Sequence, residues 1–190
     1  MSAKRRLGAR DSEVRTRLVD AAAEIVREEG CAALTAGRLA KTVGLSRQSV
    51  HYYFGTIEDI FIEILRSQAA EVKRRALESF AAGNPLRVIW EFRRATSAMT
   101  SELMAMAIRS EAIRTEMARS MEQLAGVSVA AVEDYARRNS VEFPVPAEVV
   151  AFVLTNMSYA IALGRELGAT AGHEATIDAV EQWLAKFDRN

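Results

Sequence analysis

Residues 35–60 read TAGRLAKTVGLSRQSVHYYFGTIEDI, and the organisation of the chain follows from them. Thr35 has the side chain of a helix N-cap, and Leu39, Ala40 and Val43 recur behind it at helical spacing. Gly44 stops that helix. Ser46 caps another, Arg47 to Tyr53. Only Val43-Gly44-Leu45-Ser46 separates the two, the tight glycine turn of a helix-turn-helix. Thr56 caps a further helix, with Glu58 and Asp59 in its first turn, where acids suit the helix dipole.

The second short helix is polar on its outer side, with Arg47, Gln48, Ser49 and His51. Val50 and Phe54, at i and i+4, pin it to a core. An exposed helix that opens on Arg, Gln and Ser suits the major groove, where such side chains bond base edges. Thr35 and Ser46 put hydroxyls and free N–H groups at helix starts, which attract phosphate. Tyr52 and Tyr53 can donate hydroxyls to phosphate oxygens. Net charge is zero, but residues 1–54 hold 10 Lys/Arg against 6 Asp/Glu, and residues 55–190 hold 15 against 19. From Thr35 to Phe54 the only charges are Arg38, Lys41 and Arg47. That asymmetry fits a polyanion partner; an ordinary solvated face is the alternative.

The order Thr, apolar, Ala, Gly-Leu-Ser, Tyr-Tyr-Phe and then a long helix resembles the DNA-binding head of the tetracycline-repressor (TetR) family, over about residues 12–65. Residues 1–11 read as a disordered basic tail, and the resemblance implies an all-α fold beyond it: a three-helix helix-turn-helix head over 12–55 and a helical regulatory and dimerisation body over 56–190. It implies that Arg47, Gln48, Ser49 and His51 face the groove of a double-stranded operator. Thr35, Ser46, Tyr52, Tyr53 and Thr56 would touch its phosphates. One departure stands out: the family's lysine just after the long helix's cap is Ile57 here, so a side-chain phosphate contact is missing. The basic tail, with Lys4, Arg5, Arg6 and Arg10, either compensates along the duplex or is a solvated end.

The rest of the 190 residues also reads as helices. Periodicity predicts them over 12–29, 56–82, 86–98, 100–109, 111–139, 147–167 and 173–188, with breaks at Gly83-Asn84-Pro85 and Pro144-Val145-Pro146. The most apolar stretch, Val149 to Leu163, falls short of the ~20 residues of a membrane span, so it is expected to be a buried helix. Met1–Arg10 is basic with no apolar segment, which points to a cytoplasmic protein with no membrane partner. Cys31 stands alone and serves as packing filler. Of the two histidines, His51 fits a DNA contact and His173 a helix cap; neither has metal-ligand spacing. No Ser/His/Asp order, glycine-rich phosphate loop or carboxylate pair is legible, so neither an enzyme nor a cofactor is expected.

Two further sets of residues stand out in the body. Trp90, Met99, Met104, Met106, Met121, Tyr135, Phe152, Asn156 and Tyr159 either pack a core or line a cavity for a small hydrophobic or aromatic effector. The nearby charges Arg93, Arg94 and Glu102 can all point outward. The Asn156 carboxamide needs a partner, in another helix, a second subunit or a ligand. Ile177, Val180, Trp183, Leu184 and Phe187 make an apolar face broader than one helix needs, and Ala160 and Gly164 allow close approach. With the resemblance, this points to a homodimer reading a two-fold operator. Two functions fit: a repressor released from its operator by a small apolar ligand, or a DNA-binding regulator without such an effector, gated by a protein partner or ungated. A helical enzyme or carrier that has lost DNA binding is a third, against which the acid-free segment 35–54 argues.

Overall fold

The structure, a computed structural model, describes residues 13–92 and 98–188, apart from the side chains at positions 92 and 98–101. The described residues form nine α-helices and no strand: α1 (Glu13–Glu29), α2 (Ala36–Val43), α3 (Arg47–Tyr53), α4 (Ile57–Ala82), α5 (Pro85–Phe92), α6 (Ala98–Ala107), α7 (Glu111–Asn139), α8 (Ala147–Leu167) and α9 (His173–Leu184). A 3₁₀ turn, Cys31–Ala33, lies between α1 and α2. The all-helical expectation holds. The tail with Lys4, Arg5, Arg6 and Arg10, and Arg93 and Arg94, lie outside the described residues.

The chain divides into two compact units, Met1–Ala69 with Ser97–Ser120 and Ala70–Thr96 with Met121–Asn190. The first is built around Leu18, Ala22, Ile25 and Val26 of α1, Leu39 of α2, Val50 of α3 and Phe54. These side chains recur every three or four positions because a helix turns once per ~3.6 residues. The core does not stop at residue 55. Ile60, Phe61 and Ile64 of α4, Leu103 of α6 and Ile113 of α7 complete it. Short α1–α3 bury too little apolar surface to stand without them.

The second unit packs Leu86, Ile89 and Trp90 of α5 with Val132 and Tyr135 of α7, Leu154 and Ile161 of α8, and Val180 and Leu184 of α9. Asn84 caps α5, its Oδ1 accepting from the Leu86 amide at 3.0 Å, and Pro85 at the first position wastes no hydrogen-bond donor. A polar latch holds the segment after α9. The Phe187 carbonyl accepts from the Tyr135 hydroxyl at 2.6 Å and from Asn84 Nδ2 at 3.1 Å. α9 ends at Leu184 and not at 188 as its periodicity predicts: the chain tightens into a turn, with the Phe187 amide donating to the Leu184 carbonyl at 2.8 Å, and the Phe187 carbonyl bonds across the unit. Arg87 donates to both carboxylate oxygens of Asp188, at 2.8 and 2.9 Å, and to Glu181. Trp90 Nε1 donates to the same Glu181 at 2.8 Å.

The Arg87 guanidinium holds the Asp188 carboxyl below the usual carboxylate range. A depressed pKa stabilises the fold above the unfolded-chain value of about 3.9 and loses that effect as pH falls through the lower folded value. Arg87→Ala should therefore cost about 1 kcal/mol at pH 7, as partly exposed ion pairs do. Urea titrations of both proteins should show that gap closing below about pH 3.9. A gap constant down to pH 2 would mean Asp188 contributes nothing through its charge.

Two expectations change here. α8 is long and apolar enough to cross a membrane by length and composition, yet it is not a wholly buried helix. Val150, Ala151, Leu154, Ser158, Ile161 and Ala162 face the core, while Val149, Phe152 and Val153 on the other side are exposed. His173 is not a cap: Gly172 occupies the cap position without a side-chain bond. The His173 ring instead lies against Gly164, and its buried Nδ1 has no hydrogen-bond partner among the described residues.

Candidate nucleic-acid interface

α2 and α3 form the helix-turn-helix read from the sequence. Thr35 Oγ1 accepts from the Arg38 amide at 3.1 Å, and Ser46 Oγ from the Ser49 amide at 3.0 Å. Both hydroxyls are therefore engaged as N-caps, in the way such residues satisfy the free donors of a first turn. Ser49 Oγ lies 2.9 Å from Ser46 Oγ. Gly44 closes α2 at φ 70°, a left-handed conformation that side chains oppose. The chain then reverses, with the Leu45 amide bonding back to the Ala40 carbonyl at 2.9 Å.

α3 buries Val50 and, at its end, Phe54, and leaves Arg47, Gln48 and His51 exposed with Ser49 partly so. The sequence thus placed the outward face correctly. Tyr52 is 51% exposed and meets Tyr53 edge-on at 5.2 Å between ring centroids. Tyr53 is half-buried. Of the three cations of the motif, Arg38 is spoken for: its guanidinium donates to Glu29 at 2.5 Å and to Thr42 at 2.8 Å. Lys41 and Arg47 are exposed and make no ion pair among the described residues.

Sequence reading missed what sets the angle of α3. Arg15, on α1, donates to the Tyr53 carbonyl at 2.7 Å, pairs with Glu63 of α4 at 3.1 Å and lies 4.2 Å over the Phe54 ring. One guanidinium thus ties the end of α3 to two other helices, with a cation–π contact added. Its partners lie 38 or more positions away, so no local pattern could reveal it. Glu102 also differs from expectation. It does not point outward; its carboxylate accepts from the Cys31 amide and so ties α6 to the turn after α1. Burial and that carboxylate push the Cys31 thiol up to about 12, leaving no thiolate for chemistry.

Thr56 is already engaged where a phosphate contact is expected, and Ile57 lacks a polar side chain for one. Asp59 Oδ2 accepts from the Thr56 amide at 2.8 Å and from its hydroxyl at 2.9 Å. This is a capping box in which the helix start already holds an anion, which disfavours a phosphate there. Ile57 packs against the head core, so its apolar side chain fills space where a lysine would reach out.

The proposed effector residues do not gather around either groove of the second unit. Trp90 and Tyr135 are core, with the polar ends just described, and Met106 packs against the head core. Met104 is half-buried in the head unit. Met121 and Phe152 are exposed, at 50% and 69%, and Tyr159 is half-buried. Asn156 is exposed and satisfies itself within α8, Nδ2 donating to the Phe152 carbonyl at 2.9 Å. The side chain of Met99 lies outside the described residues. One groove, of about 530 Å³, runs between α8 and α9, lined by Val149, Val153, Met157, Ala175, Ala179 and Trp183 among others. The second, of about 660 Å³, lies between α4 and α7 beside Leu77, Phe80, Val127 and Arg138.

The dimer candidates are sorted differently from expectation. Leu184 and Val180 are buried in their own chain, and Ile177, Trp183 and Phe187 pack against that core. Trp183 and Phe187 stand 4.8 Å apart beside Phe143. Ala160 is exposed. Gly164 is bare because the His173 ring and the Ala169 carbonyl press on it, so its close approach is within the chain. Periodicity identified an apolar face on α9 but could not say which neighbour covers it.

An exposed polar helix, held rigidly one glycine turn after a supporting helix, is a helix-turn-helix, the DNA-reading element of transcriptional regulators. Residues 18–64 match the family described as "Bacterial regulatory proteins, tetR family". Over 68 residues, 36% of this chain, the sequence is 34% identical to the HTH-type transcriptional regulator BetI of Rhizobium meliloti (strain 1021), a match spanning only 34% of that relative's length. The fold is similar to that of NemR of E. coli in its reduced form, with TM-score 0.76 and 17% identity over 92% of this chain and 97% of the other. It is also similar to a Saccharomonospora viridis protein described as a transcriptional regulator and crystallised with choline, with TM-score 0.70 and 16% identity over 92% and 95%. Residues 18–64 thus match the helix-turn-helix head of the TetR family, and over 92% of its length the chain has the fold of these solved proteins.

Proposed function

We propose that this chain is a sequence-specific DNA-binding regulator that acts in the cytoplasm as a homodimer, without catalytic activity of its own. The DNA-binding head is residues 12–55 and the regulatory and dimerisation body 56–190. The reading rests on one observation above all: α3 exposes Arg47, Gln48, Ser49 and His51 while Phe54 and Arg15 lock its other side. Phosphate contacts fall to Tyr52, Tyr53, Lys41 and the starts of α2 and α3, with Thr56 a lesser contributor because Asp59 occupies it.

Selecting duplexes from a random pool tests this directly. The protein should enrich a two-fold site. Gln48→Ala should relax preference at one position per half-site by about 1–3 kcal/mol, because a glutamine amide can accept from N6 and donate to N7 on the major-groove edge of an adenine. Tyr52→Phe should weaken selected and random duplexes alike, since a phosphate contact carries no base information. No enrichment by the wild-type protein would end this reading.

The gating reading favours release of a repressor by a small, mainly apolar ligand. The choline complex of the Saccharomonospora viridis protein supports it, in that a regulator of this fold takes up a small molecule. The alternative, a regulator gated by a protein partner or ungated, draws support from the use of Trp90 and Tyr135 as core. Thermal shift with aromatic, lipid-like and quaternary-ammonium compounds separates the two: a binder at 100 times its Kd should add roughly 2.7 kcal/mol of stability, and a panel without any shift favours the alternative.

A further inference from the structure

We propose that Gly37, on α2, determines which base Arg47 reads, by leaving the helix backbone bare for the Arg47 guanidinium to lie against. The inference rests on the reading of α3 as a recognition helix. A β-carbon at Gly37 would sit 2.7 Å from both Nε and Nη2 of Arg47 and 3.0 Å from Cζ. The backbone has no other use for glycine there. Gly37 is absent from the glycines with positive φ, and it stands in the first turn of a helix, where glycine loosens the chain. What it supplies is room. Arg47 starts α3 and would be free to swing into solvent; resting on α2, its planar fork is held in one place. The other arginine of the motif cannot take over, because Arg38 is held by Glu29 and Thr42.

The consequence is specific. An added methyl must push the guanidinium away by several tenths of an ångström or more. Paired hydrogen bonds to a base edge tolerate little such error, since both distances must stay within about 2.7–3.2 Å. The displaced atoms are the far end of a flexible side chain, so the fold itself should not suffer. Gly37 is therefore a positioning residue that acts through Arg47, and its removal should alter base preference without loss of stability.

The test uses the full chain as wild type, Gly37→Ala, Arg47→Ala and the double variant. Each selects from the same random duplex pool, and melting temperatures are measured in parallel. Gly37→Ala should melt at or above the wild-type temperature. It should lower or change the preference at the Arg47-dependent position of each half-site by fivefold or more. In the Arg47→Ala background, where that position is already relaxed, it should change preference by less than about 1.5-fold. The proposal is overturned if Gly37→Ala keeps the wild-type preference there, if it acts equally without Arg47, or if Arg47→Ala alters no position. If the wild type itself enriches no sequence, the recognition-helix reading falls first and this inference with it.

Discussion

Phe54→Ala should lower the folding stability by about 3–5 kcal/mol, the range for truncating a fully buried aromatic. Phe54 is 1% exposed, at the junction where α3 ends, and its ring carries the Arg15 guanidinium at 4.2 Å. The truncation opens a cavity in the core that Phe54 shares with Val50 and Leu18, and removes the surface on which Arg15 rests. Domains of this kind are stable by only about 5–15 kcal/mol, so the loss is a large fraction of the whole. Urea denaturation measures it, and amide exchange locates it. Protection should fall in α1–α3 more than in α8 and α9, whose core is separate. DNA affinity should fall further than the fraction of unfolded protein explains, because α3 loses its fixed angle. A loss under about 1.5 kcal/mol, within the range of a volume-conserving swap, would show that Phe54 does not pin the helix.

Phe152→Asp should convert the protein from dimer to monomer at micromolar concentration. Phe152 is 69% exposed on the outer side of α8, next to exposed Val149 and Val153 and the groove lined by Met157, Ala179 and Trp183. A contiguous apolar patch of this kind on a water-facing helix marks an interface. In a two-fold dimer each substitution counts twice. Loss of a central aromatic anchor costs about 2 kcal/mol or more, so a pair costs about 4 kcal/mol, roughly a thousandfold in Kd. Helicity and melting of the monomer should change little, since the side chain lies outside its own core. Sedimentation decides the matter. A Phe152→Asp protein that stays dimeric at 1 µM, or a wild type that is monomeric there, would remove α8 from the interface. A monomer should also bind a half-site only, which weakens operator affinity without changing the base preference at each Arg47 position.

The head was legible because its determinants are local. Caps at Thr35 and Ser46, the left-handed turn at Gly44 and the apolar spacing of Leu39, Val50 and Phe54 each act over a few residues, where steric and hydrogen-bond preferences are strong. The outward residues of α3 follow from the same spacing, since a helix that buries two positions must expose the others. The capping box at Thr56 is half legible: Asp59 reads as an acid that suits the helix dipole, but its commitment to the Thr56 amide and hydroxyl is a matter of geometry.

The body was harder. α9 and α8 both carry apolar faces, and the sequence by itself established that they would be helices with faces to bury. It could not establish which face the chain covers for itself. Burial of Leu184 and Val180 came from α8 and from α5 and α7, the last two far away in sequence, and left Phe152 outside. The same holds for Arg15, Glu102 and the contact of Arg47 with Gly37. Periodicity is a one-dimensional property of each helix, whereas a partner is chosen by the packing of all of them. The sequence determined that there are helices, where they stop and which side of α3 is polar. Tertiary structure alone decided what each exposed or buried side chain meets, because those contacts join residues that no local rule connects.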